Sequence, residues 1–209
     1  MLDLERQLWS DGFQRIAGLD EAGRGCLAGP VVAAAVILPP ELNLPAAQDS
    51  KSLSEAERLD ARTQIEDEAV AWALGACSPA EIDDWNILWA SLKAMQRAAA
   101  DCDPSPDFLL VDGNRWISDK PLLAAMDGAN PTPWPHRTVV KGDATSQSIA
   151  AASILAKTER DAIMRRLHET HPHYGWDTNV GYPTKQHYAA LAEHGATPAH
   201  RQSFTLFRS

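Results

Sequence analysis

The sequence predicts an α/β protein, in which a mixed five-stranded sheet is flanked by helices and followed by a small helical C-terminal region. The prediction rests on the order of the elements: two antiparallel strands come first, and strand and helix then alternate along the chain. The 209 residues, of which 44% are hydrophobic, suit one unit with a sizeable core. We expect a main domain at residues 1–168 and a smaller region at residues 169–209.

The first two strands are predicted at about residues 14–20 and 30–38, joined by a glycine-rich turn. The first strand ends in two adjacent carboxylates, Asp20 and Glu21. Eight residues of strand character follow Pro30, so the glycines form a corner between antiparallel strands. A P-loop or a dinucleotide-binding fingerprint needs a helix at this point, and both are therefore excluded.

Capping signals predict where the next helices begin. Ser54 is followed three residues later by Glu57, a capping box that predicts a helix leading to a third strand near residues 71–77. Residues 78–81 repeat the signal, with serine at the cap, proline at the first helical position and glutamate at the third. This second signal predicts a helix that extends to about residue 100.

Two further apolar segments end in an acid, as the first strand does. Residues 108–111 form a predicted buried strand that stops at Asp112, and residues 138–142 lead to Asp143. Because the carboxyl ends of strands gather reactive groups in such sheets, all these acids are expected to lie together. Glu21 can join them only if its strand breaks there, since adjacent side chains on a regular strand point to opposite faces.

Two more helices complete the predicted fold. Residues 145–168 are predicted as one long helix, and the small side chains at 150–153 allow it to pack closely on the sheet. A short helix is predicted over about residues 184–194, with His187 and His194 on its surface, before a C-terminal tail.

The acids at the strand ends predict a metal site. Four carboxylates around one point raise one another's pKa, so their cluster is stable at neutral pH mainly with divalent cations bound. Oxygen ligands favour Mg²⁺ or Mn²⁺ over zinc. Two such ions about 3.5 to 4 Å apart stabilise the attacking water and the leaving oxygen of an in-line displacement at phosphorus. Nucleases and phosphatases use this chemistry.

Composition limits the class of partner and the compartment. Lysine and arginine number 19 against 28 acidic residues, a net charge of −9 that weakens bulk polyanion binding but leaves a local, metal-bridged site possible. Cys26, Cys77 and Cys102 lack a C-x-x-C pair, so we expect buried free thiols and neither disulfides nor a thiolate zinc site. No signal peptide or span of about 20 apolar residues is visible, and we expect a cytoplasmic monomer with no membrane partner.

A series of short motifs supports a more specific interpretation. They are DEAGRG at 20–25, DSKSLS at 49–54, VDG at 111–113, KGD at 141–143, SIAAASILAKTERD at 148–161, GYPTKQHYAAL at 181–191 and HRQSF at 200–204. In these motifs and their order the chain resembles type 2 ribonuclease H, the ribonuclease HII family, over nearly its whole length.

The resemblance implies a ribonuclease H-like fold, with residues 1–168 as the catalytic domain and residues 169–209 contacting substrate. It implies cleavage of the RNA strand of RNA/DNA hybrids, and cleavage 5′ of single ribonucleotides embedded in duplex DNA, leaving 3′-hydroxyl and 5′-phosphate ends. It further implies that Mg²⁺ or Mn²⁺ is held by the catalytic acids, namely Asp20, Glu21, Asp112 and Asp143.

Substrate contacts also follow from the resemblance. Gly23, Arg24 and Gly25 are expected to read the ribose 2′-hydroxyl, since glycine permits close backbone approach to this small group. Tyr182 is expected to pack against the neighbouring deoxyribose, although the family usually has glycine where Pro183 follows it. Plausible phosphate contacts lie in a loop and at the start of the long helix, namely Lys51, Thr145 and Ser146.

Several features have alternative interpretations. His168, His171 and His173 form a polar turn more readily than a metal site, because no helix spacing places all three on one face. Among the tryptophans, Trp176 is the one predicted as a nucleic-acid contact. The tail at 203–207 resembles peptides that dock on replication sliding clamps, although ordinary packing is the simpler interpretation.

Two alternative functions stay open from the sequence. One is a nuclease of the same fold that acts on hybrids or DNA without preference for an RNA–DNA junction. The other is a non-catalytic module that binds hybrids, against which the presence of all four acids counts.

Overall fold

A computed structural model describes residues 1–40, 53–119 and 134–207, together with the single positions 42, 44, 45, 47, 123 and 125. It contains a five-stranded sheet in the order β3-β2-β1-β4-β5. The strands are β1 (Ile16–Ala22), β2 (Val31–Ile37), β3 (Ala71–Cys77), β4 (Phe108–Asp112) and β5 (His136–Val139). The first three are antiparallel, while β4 lies parallel to β1 and to β5, which confirms the predicted mixed sheet.

Helices cover the sheet and form most of the C-terminal region. In the described ranges they are α1 (Asp3–Ser10), α2 (Glu55–Glu68), α3 (Pro79–Trp85), α4 (Ile87–Ala100), α5 (Gln147–Thr170), α6 (Trp176–Asn179) and α7 (Lys185–His194). Both predicted capping boxes form, at Ser54 with Glu57 and at Ser78 with Glu81. The long and short helices near the C-terminus are confirmed within about two residues of their predicted bounds.

Two helical features differ from the prediction. The helix predicted from residue 79 to about 100 is two helices, because Asn86 takes a left-handed φ of 65° and its side chain caps α4 by accepting from the Leu88 and Trp89 amides. Helix α1 was not predicted, since its cap residue Leu2 makes no side-chain capping bond. Its Leu8 packs in the apolar cluster that contains Ile16.

Helix α5 lies directly on strand β1. A Cβ on Gly18 would sit 2.1 Å from the carbonyl carbon of Ser148, so only glycine permits this approach of the two backbones. Ala150 and Ala151 in the next turn of the helix are fully buried. The long helix is therefore fixed against the strand that carries Asp20 and Glu21.

The C-terminal region shares an apolar cluster with the turn after β1. Tyr174, Trp176 and Leu191 pack there with Leu27 and Met164. Trp176 is fully buried, so its prediction as a nucleic-acid contact is wrong. The division of the chain after residue 168 stays a prediction.

Two composition-based expectations can be compared with the structure. Cys26, Cys77 and Cys102 are buried thiols, as predicted. Across the described part of the chain, no helix has both the length and the apolar character that a membrane crossing requires.

Candidate active site

Two of the predicted acids lie at the carboxyl end of β1. Asp20 is only 7% exposed, and one of its oxygens accepts a hydrogen bond from the Glu21 amide at 2.7 Å. The expected break in the strand does not occur, because Glu21 stays in the ladder opposite Ala33 and the strand extends to Ala22. The two carboxyls nevertheless interact, since the charge of Glu21 raises the pKa of Asp20.

The third acid ends the neighbouring strand. Leu19 pairs with Val111 in the parallel β1–β4 ladder, so the next residues, Asp20 and Asp112, lie side by side on adjacent strands. The charge of Asp112 acts on both acids of β1. The sheet therefore gathers three of the predicted carboxyls at one edge.

The turn that carries the fourth acid, Asp143, reaches this edge by a different route from the predicted one. Strand β5 ends at Val139, and Asp143 lies in a short 3-10 turn that follows a left-handed Lys141. The amide of Gly142 donates to Asp112 Oδ1 at 2.7 Å, which fixes this turn beside the third acid. The prediction that the third apolar segment ends directly in Asp143 is thus wrong, because Lys141 redirects the chain first.

The electrostatics of these acids suit a cation. Burial, then the charges of Glu21 and Asp112, raise the pKa of Asp20. Burial also raises the pKa of Glu21, against the opposing influence of Arg24. Carboxyls that disfavour one another's charged form, and offer oxygen donors only, have the chemistry that binds a hard divalent ion.

Among the described residues, the acid side chains do not form a ligand shell. Within the described ranges, no group of three His, Cys, Asp or Glu side chains is arranged to hold a metal ion. Arg24 Nη1 lies 3.1 Å from Glu21 Oε1, so this carboxylate is paired with the arginine three residues further along the turn. A buried carboxylate is destabilised unless it is paired with a cation, and Arg24 in the tight turn is that partner.

A cleft of about 460 Å³ opens beside Glu21. Among the residues that line it are five that the sequence predicted for the site, namely Glu21, Gly23, Arg24, Gly25 and Tyr182. Tyr182 is 41% exposed, and its ring carbon Cε1 lies 3.9 Å from where a Cβ on Gly25 would stand. The structure thus brings the glycine-rich turn and Tyr182 together across one cleft.

Three polar residues of the cleft were missed by the sequence reasoning, namely Arg58, Ser153 and Lys157. Ser153 and Lys157 are four residues apart on α5 and share one helix face, a spacing that could have indicated them. Arg58 donates to the Leu53 carbonyl at 2.8 Å, and no local signal marks it. Arg58 and Lys157 thus give the cleft two positively charged side chains, in a protein whose net charge is −9.

The two predicted phosphate contacts that the structure describes, Thr145 and Ser146, are not brought into this cleft. Lys51 lies outside the described residues. Thr145 is exposed, and its hydroxyl donates to the Gly142 carbonyl at 3.3 Å. Ser146 is fully buried and donates to Glu5 at 2.6 Å, which corrects its prediction as a phosphate contact. The unpredicted helix α1 supplies Glu5 as the anion at the start of α5, where a phosphate was expected.

Two buried arginines hold the glycine-rich turn from behind. Arg201 donates to the carbonyls of Gly23 at 2.7 Å, Arg24 at 3.0 Å and Gly29 at 3.1 Å. Arg160 donates to the carbonyl of Pro30 at 3.1 Å, and its Nε would lie 1.9 Å from a Cβ on Gly23, which has a φ of +99°. Both φ and space therefore require glycine at position 23.

Replacing Arg201 with lysine is expected to destabilise the protein by about 1–3 kcal/mol, because one ammonium cannot replace the donors of a fork that serves several carbonyls. Urea unfolding measures the change. Arg166→Lys is the matched control, since Arg166 is exposed and pairs with Glu159 at 3.4 Å. Equal midpoints for the two variants would show that the buried fork adds nothing to stability.

Comparison with known proteins shows the family and the fold. The ribonuclease HII family model matches residues 17–207. A ribonuclease HII from Salinibacter ruber is 70% identical over 208 residues, covering 100% of both chains. Among solved structures, the ribonuclease H2 from Pyrococcus horikoshii OT3 matches with a TM-score of 0.73 at 24% identity, covering 92% of this chain and 94% of that one. This likeness confirms the ribonuclease H-like fold.

A second structure, the complex of PCNA and RNase HII from Archaeoglobus fulgidus, matches with a TM-score of 0.70 at 26% identity. It covers 93% of this chain and 97% of that one. The family match extends over nearly the whole chain and includes all four predicted acids. The chain therefore belongs to the ribonuclease HII family, and is a metal-dependent endoribonuclease that hydrolyses phosphodiester bonds in the RNA strand of RNA/DNA hybrids.

Proposed function

We propose that this enzyme also cleaves on the 5′ side of a single ribonucleotide embedded in duplex DNA, leaving 3′-hydroxyl and 5′-phosphate ends. The observation that carries the proposal is the pairing of Gly25 and Tyr182 across one cleft, directly beside Glu21. A turn whose glycines allow close backbone approach suits a ribose hydroxyl, and an aromatic ring suits a sugar without one. Contacts on opposite sides of the cleaved bond, the glycine-rich turn on the ribose and Tyr182 on the deoxyribose, would together recognise an RNA–DNA junction.

The acids supply the metal-binding part of this proposal. Asp20, Glu21, Asp112 and Asp143 would hold Mg²⁺ or Mn²⁺, and two such ions would activate the attacking water and stabilise the leaving oxygen. Burial and like charge raise the pKa of Asp20, and a bound cation would favour its ionised form. Ser153, which hydrogen-bonds Asp20 from helix α5, would hold that carboxylate in place.

Discrimination would come from the turn and the tyrosine. The amides near Gly23 and Gly25 would approach the 2′-hydroxyl, while Tyr182 would pack on the deoxyribose that follows. Arg24, now paired with Glu21, would exchange that partner for a phosphate of the substrate. Arg58 and Lys157 on the same cleft would hold further phosphates.

The test is cleavage of a DNA duplex that carries one ribonucleotide, with products mapped at single-nucleotide resolution. We expect a single cut on the 5′ side in Mg²⁺ or Mn²⁺ and none in EDTA. The matched substrates are an all-DNA duplex of the same sequence and a long RNA/DNA hybrid. Efficient cutting of the hybrid with none of the one-ribonucleotide duplex would contradict the proposal, and would favour a nuclease without junction preference.

Arg24→Ala is expected to lower kcat/KM on the one-ribonucleotide duplex by about tenfold to a hundredfold, and on the long hybrid by less. A charge-assisted hydrogen bond is worth about 1.5–3 kcal/mol, and a long hybrid offers many alternative phosphate contacts. Initial rates on both substrates measure the difference. Arg166→Ala, at an exposed position away from the cleft, is the control. Equal losses on the two substrates would remove Arg24 from junction recognition.

The tail carries a second proposal, docking on a sliding clamp, as in the archaeal complex with PCNA. Phe207 is 58% exposed, whereas Leu206 is buried in the same cluster as Leu27. Docking through both residues would therefore require Leu206 to leave the core. Calorimetric titration of a purified clamp against wild type and Phe207→Ala tests this, with binding expected only for wild type. No binding by wild type would reject the tail as a clamp ligand.

A further inference from the structure

We propose that His187 and His200 are positioning residues for Tyr182, acting through a buried hydrogen-bond relay in which both imidazoles are neutral. The inference rests on the proposed function, in which Tyr182 reads the sugar beside the ribonucleotide. It assigns a part in substrate discrimination to two side chains that do not line the cleft.

The relay is continuous from the C-terminal loop to Tyr182. The amide of Thr197 donates to His200 Nδ1 at 3.0 Å, and His200 Nε2 lies 3.1 Å from His187 Nε2. Trp176 Nε1 also lies 3.1 Å from His187 Nε2. On the other side of its ring, His187 Nδ1 lies 3.0 Å from the Tyr182 carbonyl oxygen. His187 is fully buried and His200 is 1% exposed, which corrects the prediction that His187 lies on the helix surface.

The partners fix where each proton is. An indole N–H and a peptide N–H can only donate, so His187 Nε2 and His200 Nδ1 must both be acceptors. The remaining nitrogens therefore carry the protons. His187 Nδ1 donates to the Tyr182 carbonyl, and His200 Nε2 donates to His187 Nε2, whose single lone pair it shares with Trp176 Nε1 in a three-centre hydrogen bond. A further proton on either ring would set two donors against each other in a buried site.

The relay ends on the backbone that presents Tyr182. The Tyr182 amide donates to the Asn179 carbonyl at 2.8 Å, and its carbonyl accepts from the Thr184 amide at 2.8 Å as well as from His187. Pro183 between them restricts Tyr182 towards extended geometry. Four constraints thus hold the segment from which the tyrosine ring reaches the cleft, and His187 is the one that connects it to the C-terminal loop.

The surroundings keep the pair neutral. Burial and then the neighbouring His187 lower the pKa of His200 to about 4 from its ordinary 6.5, and burial lowers the pKa of His187. The titratable groups packed against the pair are Tyr174, 4.8 Å from the His200 ring, and His171. Between about pH 4 and pH 6.5, the unfolded chain therefore binds more protons at His200 than the folded chain does. Stability from the relay is thus complete above pH 6.5 and is lost as pH falls towards about 4.

Two substitutions at position 187 distinguish the role of His187 Nδ1 from that of His187 Nε2. The side-chain amide of His187→Asn can occupy the Nδ1 position and still donate to the Tyr182 carbonyl. That of His187→Gln reaches the Nε2 position and leaves this carbonyl without its donor. We expect the ratio of kcat/KM on the one-ribonucleotide duplex to that on the long hybrid to fall about fivefold in the Gln variant, the factor for one net hydrogen bond. It should stay within about twofold of wild type in the Asn variant.

His194→Gln, at an exposed position on the same helix, is the control and should leave the ratio unchanged. Thermal unfolding of each variant identifies any that fails to fold. An unchanged ratio in a folded His187→Gln variant would overturn the proposal, as would equal losses in the Asn and Gln variants.

A measurement without substrate tests the relay itself. Long-range ¹H–¹⁵N correlation spectra at pH 7 should show His187 protonated on Nδ1 only and His200 on Nε2 only. Either ring in the charged form, or in the opposite tautomer, would overturn the proposal even if cleavage behaves as expected. If wild type instead cuts hybrids but not the one-ribonucleotide duplex, the proposed function fails, and the tautomers still decide whether the relay exists.

Discussion

Replacing Asp20 with asparagine is expected to lower the rate of RNA strand cleavage at least about a hundredfold, the loss typical when one preorganised electrostatic group is removed from an active site. The substitution keeps the shape of the side chain and removes the charge that would bind the metal. Substrate binding should change little, because the cleft beside it is intact. Single-turnover cleavage of a hybrid, together with a binding titration in Ca²⁺, separates the two effects.

The same variant is expected to unfold at an equal or higher temperature than wild type in metal-free buffer. Burial and the charges of Glu21 and Asp112 raise the pKa of Asp20, so its ionised form is disfavoured in the folded state. Above the ordinary pKa of a carboxyl, the folded protein must either hold this disfavoured charge or take up a proton, and a neutral amide removes that cost. Asp60→Asn, at an exposed position on α2, is the control for both rate and stability. Full activity in Asp20→Asn would remove this residue from the catalytic set.

Gly18→Ala is expected to destabilise the protein by about 3 kcal/mol, at the upper end of the range for overpacking. The new Cβ would lie 2.1 Å from the carbonyl carbon of Ser148 and 2.3 Å from the Ile149 amide nitrogen. Backbone at the start of a helix cannot turn aside as a side chain can, so α5 must move away from β1. Because Ser153 of this helix contacts Asp20, activity should fall as well.

Urea unfolding of Gly18→Ala and of Gly25→Ala forms a matched pair. A Cβ on Gly25 would meet Tyr182 only at 3.9 Å, an ordinary contact distance. The Gly25 variant should therefore keep its stability while losing activity on the one-ribonucleotide duplex. Equal urea midpoints for the two variants would show that α5 and β1 leave room for a Cβ at position 18.

The elements with local signals could be predicted from the sequence. The antiparallel pair β1–β2 and both capping boxes depend on neighbouring residues, and all of them form where predicted. Helix α1 could not be predicted, because it has no capping side chain and is fixed by packing with distant Ile16. The break at Asn86 depends on a left-handed conformation that few sequence patterns reveal.

The residues of the site also fall into two groups, those with a local sequence signal and those fixed by distant contacts. The cleft residues Arg24 and Tyr182 belong to motifs that the sequence displays. The burial of Ser146 depends on Glu5 of the unpredicted helix, and the buried position of His187 on packing with Trp176. Arg201 reaches the glycine-rich turn from more than 170 positions along the chain. Such contacts exist only after the C-terminal region has packed against that turn.

We propose that acids from three distant segments share one divalent-metal site. Mn²⁺ titration followed by electron paramagnetic resonance tests it directly, with wild type compared to Asp112→Asn and Asp143→Asn at neutral pH. We expect each substitution to weaken Mn²⁺ binding at least about tenfold, the loss typical for supporting groups of a metal site. Binding by Asp143→Asn as tight as that of wild type would place this residue outside the site and contradict the claim.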